Sequence, residues 1–137
     1  MSDWLAEELP LAAPRKRGRA EHALQCAVVQ YLRLACPDGL VFAVPNGGHR
    51  SARTGADLRR EGLLAGVPDL CLIWRGRSLF IELKTALGGL SRAQRTVHRA
   101  LIAAGAEVMV CRSLDQVEAA LREAGVRLSA TCLGRAA

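Results

Sequence analysis

Three charged side chains in the middle of the sequence, two carboxylates and one ammonium, are the residues best suited to chemistry. Asp69 follows a proline, and Glu82 and Lys84 flank a single leucine further along the chain. Charged groups of this kind are costly to bury unless they are paired or hold a metal ion. The three residues are therefore candidates for a metal site. An Asp–Lys ion pair across two strands, with a solvated glutamate, is the structural alternative.

The surrounding sequence predicts a β-hairpin that brings these side chains together. Residues 69–74 and 78–84 are rich in strand-forming side chains and are separated by an Arg-Gly-Arg sequence. Because a type II′ turn favours glycine at its first central position, we expect Gly76 and Arg77 to form the two-residue loop.

Alternation of side chains along the two strands separates an apolar face from a charged one. The predicted register sets Asp69 opposite Lys84 and Cys71 opposite Glu82. On this side of the hairpin the three charged residues cluster at one end. A slip of one residue would turn Asp69 away from the other two, and the composition of the opposite face argues against such a slip. That face is wholly apolar and consists of Leu70, Leu72, Trp74, Leu79, Ile81 and Leu83.

Residues along most of the chain recur in the order and spacing of a known nuclease family. The set consists of Glu21 and Gln25, Pro45-Asn46-Gly47, Gly66-Val67-Pro68-Asp69, Ile81-Glu82-Leu83-Lys84 and Ser91-Arg92-Ala93-Gln94. In this order it resembles the VRR-NUC family of the PD-(D/E)XK nuclease superfamily, over roughly residues 20–112. A Glu-x-Lys sequence alone occurs by chance in most proteins, so the resemblance depends on the ordered set.

The resemblance implies an α/β, restriction-endonuclease-like domain in which a mixed central β-sheet is flanked by α-helices. It also implies that Asp69, Glu82 and the carbonyl of Leu83 hold Mg²⁺ or Mn²⁺, the divalent ions that suit oxygen ligands and retained waters. Lys84 would orient the attacking water or stabilise negative charge that develops during phosphodiester hydrolysis.

Two further residues of the resemblance also have ordinary structural explanations. Glu21 matches a helix glutamate that helps to complete the metal site in the family, but an acid in a first helical turn also stabilises the helix dipole. Gln94 matches a glutamine beside the active site. It also stands three residues after Ser91, where a capping box explains it without catalysis.

Composition favours a polyanionic partner. The 137 residues include 19 Lys and Arg against 13 Asp and Glu, which gives a net charge of +6 and a pI near 9.6. All of the basic residues except Lys16 and Lys84 are arginine, whose guanidinium suits bidentate contacts with phosphate. Codon use in a GC-rich genome is the alternative explanation for the arginines.

A glycine-containing loop predicted at residues 45–55 is the candidate contact with nucleic acid. Backbone amides at Asn46 and Gly47 and the side chains of Arg50 and Arg53 suit phosphate oxygens. An ordinary flexible loop is the alternative. His49 could act as a general base, although a surface histidine is the simpler interpretation.

The remaining sequence predicts the elements that position these residues. Helical spacing and capping residues predict helices over 21–35, 56–64, 91–104 and 113–124, and strands are expected over 40–44 and 107–111. Residues 1–19 are predicted to form a flexible arm, 20–128 the nuclease domain and 129–137 a C-terminal tail. The basic run at 15–19 suits either a nucleic-acid-binding tail or a solvated linker.

The leading hypothesis is a metal-dependent DNA endonuclease that acts on structured DNA such as four-way junctions as a homodimer, as small stand-alone members of the family do. An RNA endonuclease and a catalytically silent nucleic-acid-binding subunit are the alternatives, and the intact Asp69, Glu82 and Lys84 argue against silence.

The five cysteines contain no Cys-x-x-Cys sequence, and no apolar stretch is long enough to span a membrane. We therefore expect a protein of the reducing cytoplasm, without a zinc site or disulfide framework. We also expect it to be bacterial or phage-encoded.

Overall fold

The computed structural model describes residues 18–45, 52–85 and 87–131, and the side chains of residues 52–54 are outside this description. Within the described residues the chain forms four helices and four strands. In chain order these are α1 (Arg19–Ala35), β1 (Leu40–Ala43), α2 (Ala52–Arg60), β2 (Leu70–Trp74), β3 (Arg77–Leu83), α3 (Arg92–Ala103), β4 (Glu107–Cys111) and α4 (Leu114–Glu123).

The four strands form one mixed sheet in the order β1-β2-β3-β4. The pairs β1–β2 and β2–β3 are antiparallel, whereas β3 and β4 are parallel and are connected through α3. A parallel pair needs a crossover of this kind, because a tight turn can join only antiparallel neighbours. The predicted mixed central sheet flanked by helices is confirmed.

The hairpin turn differs from the prediction by one position. Trp74 pairs with Arg77, so the two-residue loop is Arg75-Gly76 and not Gly76-Arg77. Both loop residues have positive φ angles, 50° for Arg75 and 76° for Gly76, which is the pattern of a type I′ turn. A type I′ turn matches the twist of the flanking strands, and this preference outweighed the ordinary cost of a positive φ at arginine.

The change of turn shifts the predicted pairing by two residues. Leu70 pairs with Ile81, and continuing this register by one residue sets Asp69 opposite Glu82, where Lys84 was predicted. Because side chains alternate with a period of two, a shift of two residues leaves every side chain on its predicted face. The shift therefore brings the two carboxylates, and not the Asp–Lys pair, into the facing position.

The main core lies on the apolar face of the hairpin, which α1 and α4 cover. The predicted apolar face is confirmed, since all six of its side chains are buried. Val28 and Leu32 of α1 pack against this face together with Val117 and Leu121 of α4. The N-terminal part of α3 lies on the opposite face, where it contacts the charged residues of β3.

Several other boundaries follow the prediction, and one does not. Ser91 and Ser113 cap α3 and α4 as expected, and Gly105, with a φ of 98°, follows the end of α3. The second helix was predicted over 56–64 but covers Ala52–Arg60, so it begins inside the expected glycine-containing loop. Gly62, with a φ of 105°, ends the helix earlier than predicted.

The chain after α4 returns to α1. The Ser129 amide donates to the Ala35 carbonyl over 2.8 Å, and the Tyr31 hydroxyl donates to the Ala130 carbonyl over 2.7 Å. Residues 1–17 of the predicted arm and 132–137 of the predicted tail lie outside the described residues. In the part of the chain that is described, no helix combines the length and the apolar character needed to cross a membrane.

Candidate active site

Asp69 is held in place by both neighbouring strands. Its Oδ2 accepts a hydrogen bond of 2.8 Å from the backbone amide of Leu83, and its carbonyl accepts one of 2.9 Å from the amide of Val44. Only 8% of Asp69 is exposed. The carboxylate thus replaces a main-chain acceptor where the β2–β3 ladder ends, and this fixes its orientation toward β3.

Glu82 of β3 and Lys84, which directly follows this strand, form a buried charged pair on one face of the sheet. Lys84 Nζ lies 3.7 Å from Glu82 Oε1, and the two side chains are 0% and 2% exposed, respectively. Burial of two charges is favourable only where their attraction and their hydrogen bonds offset the lost hydration. The sequence places Leu83, whose side chain points into the main core, between them, so the alternation of β3 produces this pair.

Gln94 connects the two charged groups. Its Nε2 donates to Glu82 Oε1 over 2.9 Å, while its Oε1 accepts 3.0 Å from Lys84 Nζ. The same Oε1 accepts from the Ser91 amide, and the Gln94 amide bonds to the Ser91 hydroxyl, which completes a capping box. The predicted capping box is therefore present, and the same side chain also contacts Glu82 and Lys84.

Gly66 allows the loop before β2 to lie directly against the start of α3. Its φ is 92°, and a Cβ at this position would come within 2.5 Å of the Ala93 carbonyl oxygen and 2.8 Å of the Gln94 amide. A side chain here would displace the helical turn that carries Gln94. The glycine in the Gly-Val-Pro-Asp sequence thus has a geometric reason that sequence reasoning did not supply.

His98 is a further residue of the site, and the sequence prediction missed it. It lies one helical turn after Gln94, and 6% of it is exposed. Its Nε2 is 3.8 Å from Glu82 Oε2, and both atoms are buried without a hydrogen-bond partner in the described part of the chain. The spacing of four residues from Gln94 was the available signal, because residues four apart share a helix face.

The donor set fits a divalent cation of the magnesium class. Asp69 and Glu82 take opposite positions when the β2–β3 register is continued by one residue, and Oε2 of Glu82 is buried with no hydrogen-bond partner among the described residues. Magnesium sites commonly use one or two carboxylates and leave other positions to water and phosphate.

The other predicted site residues are distributed differently. Glu21 is buried in the first turn of α1. In the described ranges no group of three Asp, Glu, His or Cys side chains is arranged to hold a metal ion, and the part of Glu21 in metal binding stays a prediction. Asn46, Gly47, His49 and Arg50 lie outside the described residues, as does the side chain of Arg53.

Comparison with known proteins gives consistent matches. A family model described as "VRR-NUC domain" matches residues 6–115. A solved structure named "VRR_NUC domain" is 26% identical, with a TM-score of 0.53, and the match covers 77% of this chain and 97% of the other. A second solved structure, named "VRR_NUC domain protein", shares the fold with a TM-score of 0.59 at 23% sequence identity. This match covers 79% of this chain and 89% of the other. No curated protein matches the chain.

Proposed function

From the premise that this chain belongs to the VRR-NUC domain family of nucleases, we propose that it is a Mg²⁺- or Mn²⁺-dependent endonuclease that hydrolyses phosphodiester bonds in DNA. The observation that carries the proposal is the buried group of Asp69, Glu82 and Lys84 on one sheet face. In this group Glu82 Oε2 has no partner in the described part of the chain. A purely structural ion pair has no need of a second facing carboxylate.

Asp69, Glu82 and the carbonyl of Leu83 would hold the cation. When bound, a divalent ion supplies a water of lowered pKa and charge stabilisation at the phosphate. Asp69 and Glu82 are already oriented for this role by the Leu83 amide and by Gln94. These contacts exist before any ligand arrives, which reduces the reorganisation that catalysis would otherwise require.

Lys84 provides the positive charge on the reacting side. Its ammonium is fully buried and is directed by the Gln94 carbonyl oxygen and by Glu82. From this position it orients a water molecule or stabilises negative charge on the phosphate oxygens. Gln94 keeps the ammonium and the carboxylate apart by bonding both, so that Lys84 is not fully neutralised by Glu82.

Arginines on α3 support a nucleic-acid partner beside the site. Arg92, Arg95 and Arg99 are exposed and follow the helical spacing i, i+3, i+7. They therefore share the outer face of the helix whose first turn carries Gln94. With a net charge of +6, this face adds to the predicted phosphate contacts of Arg50 and Arg53.

The proposal also specifies that the enzyme acts on branched DNA and does so as a homodimer. Productive resolution of a four-way junction needs two cuts, and a two-fold dimer supplies two sites in fixed relation. Exposed apolar side chains support self-association at one edge of the sheet: Leu40 and Phe42 of the edge strand β1 are 65% and 44% exposed, and Leu34 of α1 is 77% exposed.

The test incubates the protein with linear duplex DNA, single strands, a flap, a four-way junction and matched RNA, each with Mg²⁺, Mn²⁺ or EDTA. We expect metal-dependent cleavage with preference for the junction. Asp69→Ala and Glu82→Ala should abolish cleavage and largely retain DNA affinity, whereas Glu123→Ala, an exposed acid of α4, is the matched control. Cleavage of RNA alone would favour the ribonuclease alternative, and salt-sensitive binding without cleavage would favour the silent subunit.

Light scattering tests the assembly separately. We expect a mass of about twice 14.7 kDa, and Phe42→Glu should return it to the monomer value, whereas Ile102→Glu on α3 should not. A strict monomer, free and bound to a junction, that cuts one strand would describe a structure-specific nickase and contradict the dimeric proposal.

A further inference from the structure

The His98–Glu82 contact is the one place in the described site where two buried polar atoms face each other without hydrogen-bond partners. Nε2 of His98 and Oε2 of Glu82 are separated by 3.8 Å. The other oxygen, Oε1, is satisfied by Gln94 and lies 3.7 Å from Lys84. A buried polar atom without a partner costs roughly 1–3 kcal/mol. Two such atoms side by side indicate an interaction that forms in the working site.

Three arrangements could satisfy both atoms, and the geometry favours one. Joint ligation of the cation by His98 is disfavoured, because the proposed cation is of the magnesium class, which takes oxygen ligands, whereas imidazole suits zinc and other transition metals. A bridging water would need space between two atoms that are already shielded from solvent. A direct hydrogen bond needs only that the separation close by about 0.6–1.1 Å into the usual range.

We propose that His98 is a positioning residue for Glu82, donating from Nε2–H to Oε2. This inference deepens the proposed function and rests on it. Gln94 and His98, four residues apart on one face of α3, then hold the two oxygens of the same carboxylate. Two donors on one rigid helix fix the rotation of the carboxylate plane, which a single donor at Oε1 leaves free.

With both bonds in place, α3 orients Glu82 for the cation although α3 itself supplies no ligand. A carboxylate oxygen has two lone-pair directions, so Oε2 accepts the histidine bond and still presents an acceptor toward Asp69. Hydrogen bonds to a ligating carboxylate of this kind typically change metal affinity by about 10–100-fold. His98 therefore acts through Glu82 and does not touch the substrate.

The first measurement needs no metal. In protein labelled with ¹⁵N at histidine, a long-range ¹H–¹⁵N spectrum distinguishes a protonated from an unprotonated Nε2. The chain has three histidines, and the spectrum of His98→Gln identifies the His98 signals by their loss. We expect Nε2 of His98 to carry a proton in the folded, metal-free protein. An unprotonated Nε2 would overturn the proposal, since it could not donate to Glu82.

The second measurement is Mn²⁺ affinity, followed by the electron paramagnetic resonance signal of the free ion. His98→Leu, which fills the same space without a donor, should weaken binding by about 10–100-fold. His98→Gln, which restores a nitrogen donor, should return the affinity to near the parent value. Val97→Ala is the matched control, because it removes a buried group from the same helix and should lower the melting temperature without weakening Mn²⁺ binding.

The outcomes separate this inference from the proposed function. Equal Mn²⁺ affinity of the parent and His98→Leu would overturn the positioning role alone. Nitrogen hyperfine coupling from a directly bound histidine would also overturn it, by making His98 a ligand. Absence of Mn²⁺ binding by the parent would instead contradict the proposed metal dependence, and the histidine spectrum would still decide whether the Nε2–H bond exists.

Discussion

The side-chain amide of Gln94 donates a 2.9 Å hydrogen bond to Oε1 of Glu82, and in this way the first turn of α3 is connected to the charged face of β3. The same amide group also closes the capping box of its own helix. Where α3 begins and how Glu82 is oriented are therefore determined by one side chain. A change in the cap is expected to change the site.

The first prediction compares Gln94→Ala with Gln116→Ala. Gln116 occupies the same position in α4, where its amide bonds to Ser113 and its side chain accepts from the Arg112 amide, away from the charged face. Loss of a cap costs about 0.5–2 kcal/mol in each variant. Gln94→Ala should lose about 1–3 kcal/mol more in urea unfolding, because buried Glu82 and Lys84 each lose a hydrogen-bond partner. Only Gln94→Ala should lose activity, by about 10–100-fold. Equal activity loss in both would assign the effect to stability alone.

The faces of the hairpin could be predicted from the sequence because alternation tolerates an error of two residues. The turn was placed one residue late, yet Asp69, Glu82 and Lys84 stayed on the predicted face. The error arose because Gly76 alone suggested a type II′ turn, whereas Arg75 also adopts a positive φ. Sequence preference does not reveal that a non-glycine residue accepts this strain when the strand twist requires it.

The partners of Glu82 could be predicted only in part. Gln94 carried a capping signal and a family signal, but His98 looked like any histidine in an amphipathic helix. Its role depends on the rotation of α3 over the sheet, which is set by packing of Ala93 and Val97 and not by local propensity. Gly66 is similar, since its close approach to Ala93 joins segments that are distant in the sequence.

The second prediction concerns Gly66→Ala, with Gly62→Ala as its matched control. Both glycines have positive φ, but a Cβ at Gly62 would meet no atom within 4 Å, whereas one at Gly66 would collide with the main chain of Ala93. Gly62→Ala should therefore cost only the backbone strain, about 1–2 kcal/mol. Gly66→Ala should cost about 1–3 kcal/mol more and lower activity, because the collision displaces Gln94. Equal unfolding free energies would contradict the close approach.

The third prediction concerns acid stability. The guanidinium of Arg77, bonded to Glu107 over 2.9 Å, holds the pKa of that carboxyl below its usual value. A pKa lowered in the folded state stabilises the protein above the ordinary glutamate pKa, about 4.3, and this contribution is lost as the pH falls through the folded value. The difference in melting temperature between the parent and Glu107→Gln should therefore shrink from pH 7 to about pH 3. Glu123→Gln, at an exposed position, should show little difference at either pH.

The fourth prediction concerns the buried thiols. Burial raises the pKa of Cys111 to about 11 and also raises the pKa values of Cys36 and Cys71. Since the thiolate is the reactive form, exposed Cys26 should be alkylated at pH 8 before Cys36 and Cys71, and Cys111 should react only on unfolding. Between the ordinary thiol pKa, about 8.5, and about 11 the unfolded chain ionises before the folded one, so stability should fall as pH rises. Peptide mapping that found Cys111 modified as fast as Cys26 in the folded protein would contradict this.

The last prediction tests whether Glu82 and Lys84 depend on each other for burial. Their charged atoms lie 3.7 Å apart with both side chains inaccessible to solvent, so removing either charge leaves the other without its compensation. Glu82→Gln and Lys84→Met should each destabilise the fold by about 3–5 kcal/mol, and the double variant should cost less than the sum of the two, because no isolated charge remains. Urea unfolding of the four proteins measures this coupling, and activity should be absent from all three variants. If the losses in free energy of unfolding were additive, the two charges would be stabilised separately, by Gln94 and the other surrounding dipoles. The short distance between the charges would then contribute to the reaction and not to the stability of the fold.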